Sequence, residues 1–275
     1  REKRYDEGAR EAEMALQKYP NRFAVVYPAA QLFHMDGIER KREPDLRRAL
    51  DLLSHACRLL DQNSDPAISE TSLRIEMADV LLGLGEEERA IAMLRANNPC
   101  GVNDEAIGCI LAGMAGRREE AMSLLSMALL RHISGLIQIV GKFGDIYEDR
   151  GRLDQADEVL AWLCPFLQGL EQPGSINSLT KFRAAALCGR AQIAWRSGRT
   201  ADAEAFLREA LALADRFDAA PNYRADALRW YEGPDTAMFY DSMGATARDA
   251  VRQAFTQQGK DPEAGAFLTA FESEN

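Results

Sequence analysis

Gly151-Arg152-Leu153-Asp154-Gln155-Ala156-Asp157-Glu158-Val159-Leu160 carries a glycine, four residues, an alanine and, four further on, a leucine. The same spacing returns as Gly85/Ala90/Leu94, Gly116/Ala121/Leu125 and Gly198/Ala203/Leu207, with the glycines 31, 35 and 47 residues apart. Self-similarity at such periods marks stacked helix pairs rather than one globular core. A glycine can take the left-handed conformation that ends one helix, and Glu86, Glu119, Asp154 and Asp202 favour the positive N-terminal end of the next. The small alanine then lets the two helices approach closely. The chain therefore reads as all-α.

The pattern resembles the tetratricopeptide repeat, in which a glycine ends the first helix and an alanine sits at the tight contact of the second. The resemblance covers most of the chain and implies a right-handed α-solenoid of helix pairs. Residues 1–220 form the expected array, starting mid-repeat, and 221–275 a C-terminal helical cap on the same solenoid. Tyr5 to Leu16 reads as a second helix whose first is missing, so an upstream module is expected.

Helices are expected at Arg22–Gly37, kinked or delayed by Pro28, and at Asp45–Leu60, with Pro44 where proline is tolerated. Pairs follow at Ser69–Leu84 with Glu86–Ala96, Asn103–Ala115 with Arg118–Leu130, Leu136–Arg150 with Leu153–Phe166, and Leu179–Ser197 with Thr200–Phe217. Gln168–Asn177, containing Pro173-Gly174-Ser175, reads as a projecting loop. Beyond the array, helices are expected at Asn222–Tyr231, Asp235–Gln257 and Glu263–Phe271.

With 33 basic against 43 acidic residues and net charge −10, the chain is not expected to hold a nucleic-acid backbone by itself. Five widely spaced cysteines without a C-x-x-C read as small core residues in a reducing cytoplasm. Arg131 and His132 interrupt the longest apolar stretch, between Leu124 and Val140, so no membrane span of ~18 residues is expected. Arg1-Glu2-Lys3-Arg4 begins no signal peptide.

His34, His55 and His132 fall in no metal-binding or catalytic motif, and no phosphate loop or nucleophile elbow occurs. No catalytic residue, metal or cofactor is expected. Recognition falls instead on the concave face lined by first helices. Helical spacing places Asp79 there, then Ile110 and Met114, then Gln138, Asp145, Glu148 and Asp149, and last Gln192, Trp195 and Arg196. That groove would be acidic in the middle, with an aromatic and a cation to one side. Arg40-Lys41-Arg42 with Arg47 and Arg48 reads as a solvated interhelical loop, and Trp162, Trp195 and Trp230 mostly as core.

Tyr231-Glu232-Gly233-Pro234-Asp235-Thr236 and Phe239-Tyr240-Asp241-Ser242-Met243-Gly244 through Ala250 are similar to the end of a group of bacterial regulators. In these a Cro-like helix-turn-helix domain precedes a tetratricopeptide array. The resemblance implies a cytoplasmic ligand- or peptide-sensing and oligomerisation region. It would hold a peptide or protein segment in its groove, form a homodimer and reach DNA only through the N-terminal domain. An adaptor that binds a client protein outside transcription is the alternative.

Overall fold

The computed structural model describes residues 4–234, 236, 243–256 and 261–274. The helices are α1 (Tyr5–Lys18), α2 (Phe23–Arg40), α3 (Glu43–Arg58), α4 (Glu70–Gly83), α5 (Glu87–Ala96) and α6 (Asp104–Ala112). They continue as α7 (Arg118–Asp149), α8 (Leu153–Leu170), α9 (Ser178–Arg196), α10 (Thr200–Ala219), α11 (Ala247–Phe255) and α12 (Pro262–Glu274). Among the described residues there is no strand, only an isolated antiparallel bridge between Glu171 and Leu228.

The repeated motif folds as its chemistry requires. Gly85, Gly116, Gly151 and Gly198 have φ of 72°, 77°, 69° and 72°, the left-handed region that side chains resist. At Gly85, Gly151 and Gly198 the turn carries paired backbone bonds, such as Glu86 N–H to Leu81 O at 2.9 Å and Gly85 N–H to Leu82 O at 3.0 Å, which satisfy the last carbonyls of the helix. Ala90, Ala156 and Ala203 are fully buried and Ala121 almost so. Lys41, at φ 54°, makes the same left-handed turn between α2 and α3 without a glycine.

The chain divides into two compact units, Arg1–Ala121 and Met122–Asn275. In the first, α1 packs on α2, α2 on α3, α3 on α4, α4 on α5 and α5 on α6. Phe23, Val26, Phe33, Leu46, Leu53, Leu73 and Val80 are among its buried side chains. Helix α2 starts five residues ahead of Pro28 and runs through it, so the proline neither delays nor ends the helix. The basic cluster is solvated, with Arg40, Lys41, Arg42 and Arg47 exposed, and it also carries surface ion pairs. Arg40 pairs with Asp36 and Asp6, Arg42 with Asp45 at 2.7 Å, Arg47 with Glu43 at 2.7 Å and Arg48 with Glu13 at 2.9 Å.

In the second unit α9 is central, with α8, α10 and α11 packed on it and α12 on α11. Leu163, Leu167, Leu187, Leu207, Phe217, Val251 and Phe255 are buried around it. Buried Lys181 of α9 donates to the Gly244 carbonyl at 2.7 Å and so ties down the stretch before α11.

Several expectations are corrected here. Arg118–Leu130 and Leu136–Arg150 are not two helices but one, α7, of 32 residues. Ser134, the residue that could have capped a new helix, donates its hydroxyl back to the Leu130 carbonyl at 3.0 Å, and Gly135 is not among the positive-φ glycines. As one helix, α7 is long and apolar enough to cross a membrane by length and composition. Leu130, Ile133 and Val140 nevertheless pack into the core of the second unit.

Nor does the stretch after α8 project. Glu171 and Asn177 are buried, and Gln172 N–H, Ser175 Oγ and Asn177 Nδ2 donate to the Ala227 carbonyl at 3.2, 3.3 and 3.0 Å. Those bonds take carbonyls out of reach of a helical ladder, and Asn222 Oδ1 accepts the Arg224 N–H at 2.9 Å in a local turn. Asn222–Tyr231 is accordingly a run of turns around a 3-10 segment at Ala225–Ala227. The helix expected from Asp235 begins only at Ala247, where Thr246 and Asp249 form a capping box; residues 235, 237–242 and 257–260 lie outside the described residues.

Cys164 and Cys188 are core residues, but Cys57 is half-buried and Cys100 and Cys109 are exposed. Trp162 and Trp230 are 50% and 65% exposed, against the expectation of core.

Candidate functional site

Helices α2, α4 and α6, the first members of their pairs, carry the candidate site of the first unit. Tyr27 of α2 donates to Glu76 of α4 at 2.5 Å, and Gln31 Nε2 donates to the Tyr27 hydroxyl at 2.8 Å. Burial, with the Glu76 carboxylate beside it, pushes the Tyr27 phenol well above its ordinary range, so it stays a neutral donor. One turn along, desolvation raises the Asp79 carboxyl while His34 of α2 opposes the shift. The two helices therefore share a polar face with acids on α4 and donors on α2.

Leu82, three residues beyond Asp79, opens that face onto a recess of about 330 Å³, lined further by Glu87, Cys109, Ile110, Gly113 and Met114. Polar groups with acids thus stand beside an apolar hollow, an arrangement suited to an extended segment that offers cations or amides and one apolar side chain. Ile110 and Met114 line this recess, and Asp79 lies on α4 one turn before Leu82, which also lines it. Tyr27, Gln31, His34 and Glu76 were not read from the sequence as site residues. Their signal was the spacing from Tyr27 through Gln31 to His34, hidden among apolar residues of α2.

In the second unit Gln138, Asp145 and Asp149 are exposed on α7. Asp145 accepts from Lys142 at 2.7 Å. Glu148 is bound to Arg196 of α9 at 2.8 Å, so an expected acid and the expected cation neutralise one another. Desolvation nevertheless raises the Glu148 carboxyl, opposed by Arg196 and reinforced by Asp145 and Asp149.

Gln192 and Trp195 stand elsewhere. Gln192 is 2% exposed. Trp195 lies against Phe255 of α11 and Phe267 of α12, with ring centroids 6.3 and 6.2 Å apart. Cys188, on the same stripe, donates to the Val251 carbonyl at 3.0 Å. Helices α11 and α12 thus occupy the side of α9 on which a partner segment was expected, because the apolar spacing 188, 192, 195 suits packing as well as recognition.

A second recess, of about 390 Å³, opens between α7 and α8 and is lined by Val140, Phe143, Tyr147, Gln155, Glu158, Val159 and Trp162. Trp162 stacks on Phe166 with centroids 5.1 Å apart, and Arg152 lies over the Tyr147 ring at 4.9 Å. Among the described residues no group of three metal-ligating side chains comes together.

Residues 184–216, from within α9 through the Gly198 turn into α10, match the family model of the tetratricopeptide repeat. No curated protein matches the chain. A tetratricopeptide repeat suggests protein–protein interaction, and repeats of this type are generally adaptors without catalysis.

Proposed function

We propose that the chain is a right-handed tetratricopeptide-like array whose first-helix face in the first unit binds a peptide or protein segment. The observation that carries this reading is the recess lined by Leu82, Ile110 and Met114, with Leu82 one turn along α4 from Asp79 and two from Glu76, which accepts from Tyr27. The segment would bring one apolar side chain for the hollow and a cation or backbone amides for Glu76 and Asp79.

Screening the chain against a displayed peptide library tests this directly. Peptides of that composition should be enriched, and Asp79→Asn with Met114→Glu should abolish their binding while the helical circular dichroism stays unchanged. Enriched peptides that bind the double variant equally well would remove this face from the function.

The finer reading is a cytoplasmic sensing and oligomerisation region of a bacterial transcriptional regulator. It rests on the similarity of the 231–250 stretch to regulators of that kind. Sequencing the gene across the codon for Arg1 tests it: a helix-turn-helix encoded upstream supports the regulator, and further repeats support the adaptor.

A further inference from the structure

Along the second half of α7, Leu136, Ile139, Phe143, Ile146 and Arg150 recur at alternating spacings of three and four, the a and d rhythm of a helix that faces another helix. Ile139, Phe143 and Ile146 are 56%, 52% and 42% exposed. Ile133 and Val140, on a different side of the helix, are the residues buried in the core of the second unit. Leu136 packs partly against that core, whereas Ile139, Phe143 and Ile146 make a second apolar face beyond the one that holds α7 to its own unit.

We propose that this stripe is a dimer interface in which a second copy of the chain packs its own α7 antiparallel against it about a twofold axis. Charge selects that partner. Lys142 and Asp149 occupy the same flank of the stripe, one heptad apart and of opposite sign, both exposed. Lys142 also bonds Asp145 of its own chain at 2.7 Å, a solvent-exposed pair that is worth little and can be exchanged or shared. Antiparallel pairing that sets Phe143 against Ile146 of the second copy also brings Lys142 opposite Asp149 of the second copy. The twofold axis then repeats both contacts in reverse. The flank is its own complement. Parallel pairing would set Lys142 opposite Tyr147 and lose the match on both sides.

Shape agrees with charge. From Leu136 to Arg150 the stripe is ~21 Å long, about the span of a short two-helix contact. Beside it, the recess lined by Val140, Tyr147, Val159 and Trp162 gives each copy a hollow for the flank of the other helix.

This deepens the oligomerising part of the reading above but uses no residue of the peptide-binding face, so either can fail alone. Sedimentation equilibrium of the full 275-residue chain over a concentration series is expected to give a dimer. Phe143→Glu should leave a monomer with unchanged circular dichroism. Lys142→Asp, which opposes like charges twice, should weaken dimerisation at least tenfold, and Lys142→Asp with Asp149→Lys should restore it. A chain monomeric throughout, a dimer indifferent to Phe143→Glu, or a double exchange no better than the single one would overturn the proposal. So would a monomer that binds phosphatidylglycerol vesicles and loses them on Phe143→Glu, because the stripe would then face lipid.

Discussion

Up to Ala121 the helices lean chiefly on their neighbours in sequence, whereas beyond it α9 is enclosed by α8, α10 and α11, and bonds some 50 residues long hold the connections in place. The same glycine and alanine seams serve both halves. What separates them is the treatment of apolar surface. The first unit ends each pair with a turn and goes on, so its stability is close to a sum of local pairings. The second packs α11 on α9 and α12 on α11.

The largest effect should come from removing α11 and α12. A chain ending at Pro234 lacks Val251, Phe255 and Phe267, which pack on or beside α9. Amide protection should collapse from Leu153 to Ala219 and remain in α2 to α5, as read by hydrogen exchange; loss spread evenly over both units would erase the distinction drawn here.

Next in size, Phe255→Ala empties a fully buried site and should cost ~3 to 5 kcal/mol in the second unit alone. Chemical denaturation with a probe in each unit checks this.

Overpacking the shared seam should affect both halves alike. Ala90→Leu and Ala156→Leu each place a larger side chain at a fully buried alanine and should each cost ~1 to 3 kcal/mol. A seam that tolerates leucine in one unit only would show that the two motifs pack differently.

Two glycine substitutions should differ in sign. Gly151→Ala forces a side chain into a left-handed turn and should cost ~1 to 2 kcal/mol, whereas Gly135→Ala, inside α7, should stabilise by ~0.5 to 1 kcal/mol. Destabilisation at both would mean that α7 breaks where the spacing of repeats had put a turn.

The smallest perturbation is a thiol titration. Cys100 and Cys109 of the first unit are exposed and should react at once. Cys164, whose burial pushes its thiol up to about 11, and fully buried Cys188 of the second unit should react only on unfolding. Rapid modification of Cys188 would show that α11 does not stay on α9.

How far the sequence could be read follows the same division. Every helix from α2 to α6 was legible, because each turn has a local cause: Pro44, the Ser69 cap, Gly85 or Gly116. The join inside α7 was not, since repeat spacing demanded a turn near Gly135 that no local residue enforces. Gln168–Asn177 and Asn222–Tyr231 misled for the opposite reason. Each looks like a free segment, yet their polar groups satisfy one another across the sequence, which periodicity cannot see. Of the candidate site, helical spacing put Asp79, Ile110 and Met114 on first helices, and Ile110 and Met114 line one recess. Gln192 and Trp195 carry that spacing too, but Gln192 is buried and Trp195 packs against Phe255 and Phe267.

The Ala227 carbonyl, acceptor for Gln172, Ser175 and Asn177, also sets an order of events during synthesis. When the stretch between α8 and α9 leaves the ribosome, its acceptor is still 50 residues from being made. At ~5 to 20 residues per second that is a wait of some seconds, during which α9 and α10 emerge and can pack on α8 and on each other while α11 is still to be made. The newborn chain therefore carries α8 to α10 with the α11 side of α9 uncovered, a surface that must be kept from neighbours until the last helices arrive.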